Sequence, residues 1–126
     1  WSESAAALLR AGRIEAADAR ELRFLAAFGE LIANTDMHLG NVSFTLGDAG
    51  RLRLAPAYDM LPMAYAPVGE GWSRRAAYRG EPRAAYADQW LSAVPVARAY
   101  WARVAGDRRI SRAFRRIGEG HARRIG

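Results

Sequence analysis

The sequence predicts a mainly helical α+β domain built around one small β-hairpin, and three observations predict it. From about Glu15 to Ala33, Leu22, Leu25, Phe28 or Gly29, and Ile32 recur near the helical period, with Arg20, Glu21, Arg23 and Glu30 between them. From Val42 to Leu54, two short alternating runs flank Gly47-Asp48-Ala49-Gly50, the pattern of a hairpin. Ala supplies 27 of the 126 residues, a composition that favours helices in close contact. This length suits one domain with an ordinary hydrophobic core, and that domain is expected to span residues 1–126.

Taken in order, Ser2 to Ala11 reads as a short helix with Ser2 as its cap and Gly12 as its stop. The second helix, about Glu15 to Ala33, buries one face and delivers the chain into the loop Asn34–Asn41. Val42-Ser43-Phe44-Thr45-Leu46 alternates apolar and hydroxyl residues, and Arg51-Leu52-Arg53-Leu54 alternates basic and apolar ones. Pairing these runs carries Asn41 at one end towards Asp59 at the other, and Ala55-Pro56-Ala57-Tyr58 breaks the second strand so that Asp59 leaves from a loop. Met60 to Arg83 lacks periodicity and holds Pro62, Gly69, Gly71, Gly80, Pro67 and Pro82, so an irregular segment beside the site is expected. Helical character returns from about Tyr86 to Val104, with Trp90, Leu91, Val94, Ala97 and Trp101 as its buried face and Pro95 as an interruption. A last helix, about Arg108 to Ile117, places Ile110, Phe114 and Ile117 on one stripe and Arg elsewhere.

Composition excludes several classes. There is no Cys, hence no disulfide, no thiolate catalysis and no Cys-ligated zinc, which is compatible with a reducing cytoplasm. No run approaches the roughly 20 apolar residues that cross a bilayer, and the first residues lack a secretory-leader pattern, so neither a membrane span nor a leader is expected within these residues. The chain starts at Trp1 without an initiator Met, which raises the expectation of a processed product or a fragment. A net charge of +6 arises from 19 Arg and no Lys against 13 acidic residues. That balance suits a nucleic acid, nucleotide or acidic protein partner, and it equally suits a compositional bias of the source genome.

The chemistry concentrates in Asn34-Thr35-Asp36-Met37-His38-Leu39-Gly40-Asn41 and in Tyr58-Asp59-Met60. Phosphoryl transfer requires a positioned hydroxyl nucleophile, metal-bound phosphates and compensated negative charge. Protein kinases use a loop Asp, an Asn five residues later, and a second Asp beyond a hairpin; Asp36, Asn41 and Asp59 follow that order. Magnesium prefers hard oxygen ligands and keeps several waters, so Asn41 and Asp59 are the candidate metal and nucleotide-binding residues. Asp36 is the candidate catalytic residue that orients the acceptor hydroxyl and takes its proton. His38 sits where many kinases carry a Lys directed at the transferred phosphate, which makes it a second candidate catalytic and nucleotide-binding residue, the alternative being that it only braces the loop. Each residue alone has a plain alternative as a turn or capping residue. The order and distance of the whole set carry the reading.

Ile32-Ala33-Asn34-Thr35-Asp36-Met37-His38-Leu39-Gly40-Asn41 resembles the catalytic loop of HipA-type serine/threonine kinases, the toxins of bacterial toxin–antitoxin modules. Leu54-Ala55-Pro56-Ala57-Tyr58-Asp59-Met60-Leu61-Pro62 resembles their metal-binding motif. The likeness is strongest from Phe24 to Pro67. It implies the C-terminal lobe of a protein-kinase-like fold, ATP and Mg²⁺ as cofactors, Asp36 as catalytic Asp, and Asn41 and Asp59 as Mg²⁺ ligands. It further implies a protein substrate, an aminoacyl-tRNA synthetase among the candidates, and a DNA-binding antitoxin as partner. The family's N-terminal nucleotide-binding lobe has no match here, so a catalytic-lobe fragment, a truncated product or one part of a split kinase is expected. The competing expectations are an inactive interaction module and an Arg-rich nucleic-acid-binding domain centred on Arg108, Arg109, Arg112, Arg115, Arg116, Arg123 and Arg124.

Overall fold

Four helices, α1 (Ser2–Arg10), α2 (Ala16–Leu31), α3 (Ala87–Gly106) and α4 (Arg112–Arg124), carry nearly half of the chain in the computed structural model, which describes residues 1–69, 71–72 and 78–125. Two antiparallel ladders lie between α2 and α3. The first pairs β1 (Phe44–Leu46) with β2 (Leu52–Leu54) in the register Phe44↔Leu54 and Leu46↔Leu52. The second joins the two-residue strands β3 (Pro67–Val68) and β4 (Gly71–Trp72). Mainly helical α+β architecture with a small hairpin is therefore what the chain adopts.

α2 is the central helix, packing on α1 along one side and on α3 along another, while α4 closes against α3. The larger core gathers Ala27, Ile32, Ala33, Tyr65, Ala93, Ala97 and Trp101, and a smaller one gathers Ala5, Ile14, Ala19 and Leu22 beneath β1 and β2. Trp101 is fully buried, and its Nε1–H donates to the Leu31 carbonyl at 3.1 Å. That carbonyl is one of the unpaired acceptors that every helix leaves at its C-terminus, so a single indole fills the core and satisfies the end of α2. The hairpin is fastened to α2 in turn: Leu54 N–H donates to the buried Asp18 carboxylate at 3.3 Å, and Arg53 Nε lies 3.3 Å from its other oxygen.

Several expectations are corrected. Ser2 is the first residue of α1 rather than its cap; Trp1 occupies that position and no side chain caps the helix. Gly12 does stop α1 with φ +65°, letting Gly12 N–H reach Leu9 O and Arg13 N–H reach Leu8 O. Pro95 does not interrupt α3, which runs through it. Leu91 is 83% exposed instead of buried, because the inward stripe is Ala93, Ala97 and Trp101. The last helix begins four residues later than expected, after Ser111, whose Oγ accepts from Phe114 N–H at 3.3 Å. Residues 107–110 form a turn in which Asp107 binds both the backbone N–H and the guanidinium of Arg109. The segment from Met60 to Arg83 is not wholly irregular, since it holds a 3-10 turn at Met63–Tyr65 and the β3–β4 ladder; residues 70 and 73–77 of it lie outside the described residues.

Candidate functional site

The site begins where α2 stops. Asn34 N–H bonds to Gly29 O at 2.9 Å and Ala33 N–H to Glu30 O at 3.2 Å, the paired bonds of a Schellman ending. Its left-handed position is filled by Ala33 at φ +63°, fully buried, where a helix end ordinarily carries Gly. The chain then runs back over α2. A Cβ on Gly29 would lie 2.0 Å from Met37 Sδ, so the missing side chain of Gly29 is the space into which Met37 packs. Thr35 and Met37 line a cavity on the α2 side, while Asp36 and His38, of opposite parity, come together with His38 Nε2 3.9 Å from Asp36 Oδ1.

Two asparagines fix the backbone of this loop. Asn34 is buried; its Oδ1 accepts from Asp36 N–H at 3.1 Å, and its Nδ2 donates to the Asp59 carbonyl at 3.3 Å. Asn41, also buried, donates from Nδ2 to the Asp36 carbonyl at 3.1 Å. A backbone carbonyl only accepts, so these contacts assign the amide orientation and leave Asn41 Oδ1 without a protein donor among the described residues. His38 Nδ1 accepts from Gly40 N–H at 3.0 Å. That bond requires an unprotonated Nδ1, so the neutral ring carries its proton on Nε2, facing Asp36. The imidazole thus braces the loop and also presents a donor on the Asp36 side.

Asp59 sits at φ +53°, a left-handed conformation that Asp tolerates better than most residues. Its side chain is exposed, and no Arg meets it among the described residues, although the chain holds 19 of them. The Asp36 side chain is likewise open, at 56% exposure. The hairpin holds the two loops together from outside: Tyr58 OH donates to Gly40 O at 2.8 Å and lies 3.0 Å from Ser43 Oγ. Trp1 Nε1–H donates to the His38 carbonyl at 2.9 Å. Residues 2–123 match the family model described as the HipA-like C-terminal domain.

The chain belongs to the HipA-like C-terminal domain family. A relative, Toxin YjjJ of Escherichia coli (strain K12), is 49% identical over 94 residues, covering 74% of this chain and 21% of that protein. The chain therefore spans about a fifth of that relative's length. No solved structure matches it. No helix among the described residues is long and apolar enough to cross a membrane.

In this HipA-like domain the predicted residues lie on two loops that are bonded to each other, with Asn34 and Tyr58 as the links. Among the described residues no three His, Cys, Asp or Glu side chains group as a self-sufficient metal cage. Among the donors that remain free, the Asn41 amide oxygen and the Asp59 carboxylate are hard oxygens, and so small a set fits Mg²⁺ that keeps water and phosphate ligands. Asn34 and Tyr58 were legible only as turn and flanking residues, and Gly29 only as part of a helical stripe. Their work is tertiary, and the one local signal is that Gly29 interrupts an otherwise strong helix-forming run.

Proposed function

We propose that this domain is the catalytic lobe of an ATP- and Mg²⁺-dependent serine/threonine protein kinase. The observation that carries the reading is the Asn34 amide, which bonds the Asp36 and Asp59 backbones to one another while both carboxylates stay open. Asp36 orients the acceptor hydroxyl and receives its proton as the phosphoryl group departs from ATP. Asn41 Oδ1 and the Asp59 carboxylate would hold Mg²⁺, which when bound neutralises phosphate charge. His38 keeps its Nε2–H beside Asp36 and holds the loop through Gly40. The chain has no Lys, so the cation that faces the nucleotide phosphates is either an Arg or lies outside these 126 residues. The acceptor hydroxyl is proposed to lie on a protein, with an aminoacyl-tRNA synthetase as the first candidate and a DNA-binding antitoxin as regulator.

Two substitutions separate the roles. In a protein carrying this region, Asp36→Asn should lower phosphoryl transfer by roughly 10²–10⁴-fold while leaving calorimetric ATP–Mg²⁺ binding intact. Asp59→Asn should weaken ATP–Mg²⁺ binding itself. Transfer at the wild-type rate in either variant defeats the assignment.

A further inference from the structure

A cavity of about 460 Å³ opens between α3 and the end of α4, away from the Asp36 loop, with Leu31, Trp90, Leu91 and Val94 among its walls and Arg79, Arg124 and His121 as its polar lining. The size is that of a small-molecule pocket. Three features make it more than an apolar hollow. His121 is only 3% exposed, yet one ring nitrogen has no protein partner among the described residues. Its Nε2 meets Tyr65 OH, which accepts from Tyr78 N–H at 3.1 Å and has no other acceptor for its own proton among the described residues, so the hydroxyl donates that proton to Nε2. The neutral ring then carries its remaining proton on Nδ1, a donor with no protein partner among the described residues on a side chain that lines the cavity.

The second feature is charge. Neither Arg79 nor Arg124 meets a carboxylate among the described residues, and Arg124 lies near enough to His121 to disfavour its protonation. The third is an exposed apolar wall: Leu91 is 83% exposed, and Trp90 offers a half-buried aromatic surface. Two guanidiniums without a carboxylate partner among the described residues and one imidazole N–H, lining the same cavity as an aromatic and aliphatic wall, form a donor set for an oxyanion attached to an apolar body.

We propose that this cavity is a binding site for an amphipathic anion, a carboxylate, sulfonate or phosphate on a flat apolar skeleton. The charged end lies on Arg79, Arg124 and His121 Nδ1–H, and the skeleton rests on Trp90, Leu91 and Val94. The site is independent of the phosphoryl-transfer reading.

The probe is 8-anilinonaphthalene-1-sulfonate, titrated by fluorescence into the 126-residue chain beside N-phenyl-1-naphthylamine, which has the same aromatic body without the anion. One sulfonate site per chain is expected, with affinity at least about tenfold above that of the neutral compound. Arg79→Ala with Arg124→Ala, both exposed positions, should abolish that difference while far-UV circular dichroism and the melting curve stay unchanged. Leu91→Asp should weaken both compounds together. Equal affinity for the two compounds, full sulfonate binding in the double Arg variant, or no sulfonate binding at all overturns the proposal.

Discussion

Asn34 uses both ends of its amide in a place where water does not substitute for them, with Oδ1 on Asp36 N–H and Nδ2 on the Asp59 carbonyl. The two contacts have different consequences and can be taken apart. Asn34→Asp keeps an acceptor for Asp36 N–H but places a carboxylate oxygen against the Asp59 carbonyl, so the link between the loops is lost and replaced by repulsion. Asn34→Ala removes both bonds and leaves a backbone donor and an acceptor unsatisfied at a cost of about 1–3 kcal/mol. Both variants are expected to lower the urea midpoint, and Asn34→Asp should lower ATP–Mg²⁺ affinity more than its loss of stability explains. Equal ATP–Mg²⁺ affinity in wild type and Asn34→Asp would show that the link does not position Asp59. Strain at this scale has a pattern too: Ala33 and Asp59, the residues that bound the two loops, both hold positive φ without being Gly. Asn34 follows one of them and bonds the other, which keeps the unfavourable conformations in place.

α3 shows how far an element departs from its local preferences when its packing is good. Pro95 lacks an N–H for the Leu91 carbonyl and stands on the exposed side, yet the helix continues because Ala93, Ala97 and Trp101 bury the opposite stripe. Pro95→Ala restores a hydrogen bond without removing a core contact. The gain, reduced by the greater freedom of the unfolded chain, should be about 1–2 kcal/mol, read as a higher urea midpoint. A lower midpoint would mean that the ring packs in a way its exposure conceals. Elements carried by periodicity or turn chemistry were legible in the sequence: α2 by its apolar recurrence, the β1–β2 hairpin by Gly47 to Gly50, the end of α1 by Gly12. Leu91 was misassigned because a face drawn through Trp90 and Leu91 is wider than the one α3 buries, which small Ala residues define by their closeness rather than by hydrophobicity. α4 was placed too early because Asp107 turns the chain through Arg109 before Ser111 caps the helix. The candidate residues Asp36, His38, Asn41 and Asp59 were legible as a spaced set. The bonds from Asn34, Asn41 and Tyr58 that arrange them were not, since all but the local Asn34–Asp36 contact join residues separated by 5 to 25 positions across loops with no period.

The molecule is joined at one buried centre, where Trp101 of α3 stacks on His121 of α4 with ring centroids 4.2 Å apart and bonds the end of α2, while Tyr65 of the middle segment bonds His121. Burial, with a smaller contribution from Arg124, pushes the pKa of His121 down to about 4, from an ordinary value near 6.5. In the unfolded chain His121 takes a proton at the ordinary value, so between the two the unfolded state binds more protons than the folded one. The stabilising contribution is therefore fully present above about pH 6.5 and is lost as pH falls through that range towards 4. At about pH 4.5 the loss should reach roughly 2–3 kcal/mol, a substantial part of the stability of a domain this size. The carboxyls of Asp88 and Asp107 are held below their usual range by Gln89 with Arg23 and by Arg109 respectively, so their titration falls below this window. Urea unfolding at neutral pH, at about 5.5 and at about 4.5 measures the slope. His121→Gln, whose amide oxygen accepts from Tyr65 OH without titrating, should flatten it while costing stability at neutral pH through the lost ring stacking. A wild-type slope that persists unchanged in His121→Gln would move the acid sensitivity to another group and remove His121 from the role of the neutral, core-locking imidazole.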